Sequence, residues 1–115
     1  MSVDEHLAAR VRELVRTEVG VTEKRMFGGL AFLINGNMAV SASGQGGLLL
    51  RVDPGQTRAL SSRPHAEVAV MRGREMDGWL RVDADGVRTK PQLGKWVSTG
   101  VAYARTLPPK KQSAH

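Results

Sequence analysis

Leu7, Val11, Leu14 and Val15 fall at helical spacing, and Arg10, Arg12, Glu13 and Arg16 fill the other face. This predicts an amphipathic helix near the start of the chain. Ser2 with Glu5 three residues later reads as a capping box, and Gly20 as the stop signal. Beyond Gly20 the apolar period changes to two. Glu23 to Phe27 reads as a strand leading into Gly28-Gly29, and Leu30 to Ile34 and Met38 to Ser41 flank Asn35-Gly36-Asn37, a strong hairpin signal. A two-residue Asn35-Gly36 turn pairs Ile34 with Asn37 and Phe32 with Ala39. A three-residue loop pairs Ile34 with Met38 and Phe32 with Val40. The second keeps the large apolar residues on one face, so it is the expected register, with Asn37 in the left-handed conformation.

Ser43 to Gly47 reads as a turn and Leu48 to Val52 as a strand. Asp53-Pro54 looks like an N-cap followed by Pro in the first turn, opening a short helix to about Ser61. Val68 to Arg72 and Trp79 to Val82 predict two more strands, joined around Gly73 to Gly78. Thr89 and Gln92 form a second capping box, and Leu93, Trp96, Val97, Val101 and Ala104 give a helical stripe ended by Pro108-Pro109. Leu30, Phe32, Ile34, Met38, Val40, Leu48, Leu50, Val52, Val68, Val70, Leu80 and Val82 alternate consistently, as one apolar sheet face would. Covering that face with the two long helices gives a two-layer α+β domain with an antiparallel sheet. The domain is expected over residues 1–109, with 110–115 a disordered basic tail. The other face carries Ala31, Leu33, Ala39, Ser41, Leu49, Arg51, Ala69, Met71, Trp79 and Arg81. An exposed Leu33, Leu49, Met71 and Trp79 would suit a partner surface, and a homodimer is expected through this face or through an edge strand.

Composition narrows the classes. At 115 residues one domain is expected, and 41% hydrophobic with 24% charged residues is globular rather than disordered. The chain holds 17 Lys+Arg, mostly Arg, against 11 Asp+Glu, for a net charge of +6. With no cysteine, disulfides, Cys-ligated zinc, iron–sulfur clusters and thiol catalysis are excluded, and a reducing cytoplasm is the expected compartment. Met1 to His6 has neither the basic start nor the apolar stretch of a signal peptide, and Leu30 to Ile34 is too short to span a bilayer, so no membrane association is expected.

Thr22-Glu23-Lys24-Arg25-Met26-Phe27-Gly28-Gly29-Leu30-Ala31-Phe32 resembles the Lys-x-Met-Phe-Gly-Gly segment of the TfoX/Sxy N-terminal domain family. Asn35-Gly36-Asn37-Met38, the Gly73-Arg74-x-Met76-x-Gly78-Trp79 stretch, and Trp96 through Ala104-Arg105-x-Leu107-Pro108 are similar too, so the resemblance runs from about Val3 to Pro109. It implies a helix, an antiparallel sheet and a closing helix in a two-layer arrangement like that of secretion chaperones. The family's namesakes are competence regulators with a second, C-terminal domain, for which little chain remains after Pro109. A stand-alone domain is therefore expected. The resemblance supplies no catalytic residue.

Other chemistry finds little support. Gly44-x-Gly46 lacks the third glycine and the helix of a dinucleotide fingerprint, and Gly28-Gly29 lacks the Lys-Ser/Thr of a phosphate loop. His6, His65 and His115 have no metal-ligand spacing. Glu75 and Asp77 sit beside Arg72 and Arg74 and read as an ion-paired turn. The serines lack a nucleophile-elbow context. No catalytic, cofactor or metal residue is expected. The basic excess remains, and Lys24, Arg25, Arg51, Trp79 and Arg81 are the candidate partner or nucleic-acid surface, with Trp79 able to stack on a base. The expected function is a non-enzymatic regulatory or protein-binding module acting through protein–protein contacts. Two alternatives stay open: a nucleic-acid-associated regulator with weak, phosphate-directed contacts, and an unrecognised enzyme acting on RNA.

Overall fold

A computed structural model describes residues 5–26, 28–44 and 46–109. Helix α1 (Glu5–Val15) is followed by strands β1 (Val21–Met26), β2 (Gly29–Ile34), β3 (Asn37–Ser43) and β4 (Leu48–Arg51). A short helix α2 (Thr57–Ser61), strands β5 (Ala66–Met71) and β6 (Arg74–Val82), and the long helix α3 (Lys90–Thr106) complete the fold. The strands form one six-stranded sheet in the order β1-β2-β3-β4-β6-β5, antiparallel throughout. The expected two-layer α+β architecture is what forms.

The helix signals hold where they are described. Leu7, Val11 and Val15 of α1 are buried, joined by Ala8. Ser2 of the first capping box, Phe27 at the end of the first expected strand, and the expected tail from Lys110 lie outside the described residues. Asp53 accepts a hydrogen bond from the Gly55 amide at 2.8 Å, and Pro54 opens a 3-10 turn that leads into α2. At α3 the Gln92 amide donates to Thr89 Oγ1 at 3.3 Å and the Thr89 amide donates to Gln92 Oε1 at 3.0 Å, the reciprocal box expected. Leu93, Trp96, Val97, Val101 and Ala104 then seat α3 on the sheet, in one cluster with Phe32, Ile34, Val40, Leu50 and Leu80.

The β2–β3 hairpin corrects the expected register. Asn35 (φ 52°) and Gly36 (φ 86°) form a tight two-residue turn, and Ile34 pairs with Asn37 rather than Met38. Both turn residues take positive φ, as the hairpin turn that matches strand twist requires. Phe32 nevertheless pairs with Val40 as expected, because a bulge interrupts the ladder between Phe32 and Leu33. The extra residue, Ala39, absorbs the mismatch between the tight turn and the apolar alternation. Met38 therefore pairs with Leu33 and leaves the helix-covered face. The buried Asn37 side chain donates from Nδ2 to the Pro108 carbonyl at 2.9 Å, tying the hairpin to the end of α3.

The second hairpin also differs. Arg72 (φ 54°) and Gly73 (φ 77°) make the turn, and β6 starts at once at Arg74, where a loop to Gly78 was expected. The ladder is irregular between Val68 and Val70, and β6 carries the extra residues there, including Gly78 at φ 89°. The Gly78 amide donates to buried Thr57 Oγ1 at 2.7 Å, which holds the irregular strand against α2. Val70, expected in the core, is 59% exposed. The expected ion-paired turn does not form: Glu75 and Asp77 make no ion pair with Arg72 or Arg74.

Candidate binding face

Strand pairing sets out the face away from the helices row by row. One row crosses the whole sheet: Lys24 on β1, Ala31 on β2, Ser41 on β3, Leu49 on β4, Arg81 on β6 and Glu67 on β5. A neighbouring row places Arg51 of β4 directly opposite Trp79 of β6. Arg51, Trp79 and Arg81 thus share this face, the side on which the alternation puts them, and Lys24 joins them from β1. Arg25 does not. It pairs with Leu30, whose side chain belongs to the helix-covered core, and its guanidinium lies 3.6 Å from Glu5 of α1. Period-two alternation puts Lys24 and Arg25 on opposite sides.

The floor of the face is a second apolar cluster of Ala31, Leu33, Met38, Leu49 and Ala69, and no helix residue belongs to it. Leu33 and Leu49, expected to stand exposed, are only 9% and 4% exposed. Met26, Met71 and Trp79 pack against the cluster and roof the shorter side chains. Among the described residues, the large apolar side chains that do stand out in solvent are Val19 and Val70. The face is thus a largely covered apolar floor with cations above it, rather than a bare apolar surface.

The cations are held in particular ways. The Arg51 guanidinium carbon is 5.6 Å from the Trp79 ring centroid and 6.0 Å from that of Tyr103 on α3. Both rings offer their negative faces to the charge. Arg81 Nη1 donates to Ser43 Oγ at 3.4 Å. Elsewhere Arg12, Arg16, Arg25, Arg88 and Arg105 each pair with a carboxylate, whereas Lys24, Arg51 and Arg81 form no ion pair among the described residues. Glu67 forms none with Arg81 although the two are opposite in register. Tyr103 and Met38 are members of this region that the sequence did not show. The i, i+7 spacing of Trp96 and Tyr103 marks a shared side of α3, but nothing in it points to the end of β4.

Grooves also lie elsewhere on the domain. A cleft of about 570 Å³ between α1 and α3 is lined by Leu14, Val97, Gly94 and Ala102 and by the Glu18–Arg105 ion pair at 2.7 Å. Another, of about 220 Å³, lies between Arg63, His65, Lys95 and Trp96. The clearest electrostatic perturbation is structural. Arg12 donates to Glu23 from Nε at 2.6 Å and from Nη2 at 2.9 Å, which holds the Glu23 carboxyl below its ordinary range and tethers α1 to β1. No group of three or more His, Asp or Glu side chains among the described residues is placed to hold a metal ion. No helix among them is long and apolar enough to cross a membrane.

The domain thus has its helices on one sheet face and cations over an apolar floor on the other. The model of the TfoX N-terminal domain matches residues 13–104, most of the chain, and the protein belongs to that family. A search of curated proteins and one of solved structures gave no match.

Proposed function

We propose that this protein is a non-enzymatic regulatory module of the cytoplasm that acts as a homodimer and binds an acidic protein partner through the sheet face of Arg51, Trp79 and Arg81. The observation that carries the reading is the pair Arg51 and Arg81: diagonal neighbours on adjacent strands, with no carboxylate partner among the described residues, above an apolar floor to which no helix residue belongs. Diagonal neighbours of this kind stand about 7–8 Å apart, close enough for long side chains to grip one acidic segment together. A partner's carboxylates would supply the missing counter-charges, and its apolar groups would lie on Trp79 and Met71. Membership of the TfoX N-terminal domain family supports the regulatory part. The absence of cysteine supports a reducing compartment.

The second reading, a nucleic-acid-associated regulator, draws on the same cations and on the half-buried Trp79 ring. One experiment separates the two. Arg51→Glu/Arg81→Glu and a control pair, Arg58→Glu/Arg88→Glu, are compared with the parent for binding a polyglutamate peptide and a single-stranded oligonucleotide of equal charge. The proposal expects the parent and the control to prefer the peptide and the first pair to lose it. Preference for the oligonucleotide supports the second reading. Equal losses in both pairs show a non-specific charge effect and overturn the face.

A further inference from the structure

We infer that the second copy of the chain pairs along the outer edge of β5, joining two six-stranded sheets across a two-fold axis. This rests on the homodimer proposed above and names its interface. The sheet has two edges, and they are built differently. At β1, Thr22, Glu23, Lys24 and Arg25 are all exposed, and α1 reaches over to it through the Arg12–Glu23 and Glu5–Arg25 pairs. A charged, bridged strand of this kind is a guarded edge.

The edge at β5 has no such guard. Ala66-Glu67-Val68-Ala69-Val70-Met71 carries one charge, and Val70 stands 59% exposed. Among the described residues nothing hydrogen-bonds to the outer backbone of Glu67 to Met71. An open edge with an exposed β-branched side chain is a template for a further strand.

Two features select a second copy as that strand. The apolar cluster of the uncovered face runs out to this edge through Ala69 and Met71. Antiparallel pairing centred on Ala69 makes the two clusters continuous. The same register sets Val70 against Val68 of the second copy, so the exposed valine gains an apolar neighbour on the helix side. Glu67 then falls opposite Met71 of the second copy, and no like charges meet on the pairing strands. The isologous arrangement closes on itself, whereas joining β5 to a β1 edge would propagate without end and would bring an apolar strand against a charged one. Six residues per strand bury less than a standard interface, so the dimer is weak, in the micromolar range or above. Each copy carries +6, so added salt strengthens the dimer by screening, the opposite of its effect on an acidic partner.

The test is sedimentation equilibrium of the parent chain, Val70→Lys and Val19→Lys over a wide concentration range, with amide exchange of Glu67 to Met71 followed in parallel. Val19→Lys removes the other exposed valine and serves as the control. The expected result is a concentration-dependent dimer for the parent and Val19→Lys, slower β5 exchange as it forms, and a monomer with unchanged melting temperature for Val70→Lys. If Val70→Lys dimerises as well as the parent, the β5 edge is overturned while the homodimer stands. If the parent is monomeric at all concentrations, both fall.

Discussion

Gly100 sits in the interior of α3, where replacing glycine by alanine ordinarily stabilises a helix by about 1 kcal/mol. The opposite is expected here. A Cβ at this position would stand 2.6 Å from the Ala39 carbonyl oxygen and 2.8 Å from Val40 Cγ1. The valine methyl can turn aside, but Ala39 is backbone, and it is the residue that bulges out of the β2–β3 ladder. Its carbonyl can retreat only by undoing the bulge, so α3 must lift instead. Lifting loosens Trp96, Val97, Val101 and Ala104, which seat the helix. Overpacking of this kind costs about 1–3 kcal/mol, which offsets or outweighs the propensity gain and leaves Gly100→Ala less stable by up to roughly 2 kcal/mol. Gly94, six residues earlier in α3, supplies the control, because a Cβ there meets nothing within 4 Å. Gly94→Ala should gain up to about 1 kcal/mol. Urea unfolding of the two variants with unchanged m-values reads the difference directly. A Gly100→Ala protein as stable as Gly94→Ala would show that α3 does not rest on the bulge.

Phe32 is 1% exposed in the helix-covered core, and Phe32→Ala should cost roughly 3–5 kcal/mol in urea unfolding; a loss under about 1 kcal/mol would place the ring elsewhere. The Glu23 carboxyl is held below its ordinary range by the Arg12 hydrogen bonds, so the pair's stabilisation is complete above the unfolded carboxyl's titration and is lost as pH falls through the lowered value. Glu23→Gln should therefore flatten the acid limb of the stability curve and leave its slope near neutrality unchanged, and an unaltered acid limb would remove Glu23 from that role. Val70→Lys should abolish self-association without changing the melting temperature. Arg51→Glu/Arg81→Glu should abolish polyglutamate binding where Arg58→Glu/Arg88→Glu does not.

Much of this fold could be read from pattern because its helices follow local rules. Thr89, Pro91 and Gln92 form the start of α3 that their chemistry dictates, and the apolar alternation of Leu48, Leu50, Leu80 and Val82 gives the buried face. The hairpins were harder, for one physical reason. Their bulges let a tight turn and the alternation both hold, so a register argument that assumes an unbroken ladder must sacrifice one of them. An unbroken ladder at Asn35-Gly36 is incompatible with the two-residue turn, and after Arg72-Gly73 the irregular start of β6 lacks the alternation that marks a strand. The binding face inherited this limit. Arg51, Trp79 and Arg81 are legible from period two alone. Met38 lies on this face, against the alternation, because of the bulge at Ala39; Arg25 is turned toward α1 by that same alternation; and Tyr103 comes from a distant helix.

The backbone and indole N–H resonances of the protein, followed while a polyglutamate peptide is titrated in at low salt, test the proposed face most directly. Binding at Arg51 and Arg81 predicts that the largest shifts fall on β4 and β6 and on the Trp79 indole, that the Trp96 indole in the helix-covered core stays put, and that the shifts fade as salt is raised. Shifts concentrated in the cleft between α1 and α3, or none at any peptide concentration, would contradict it.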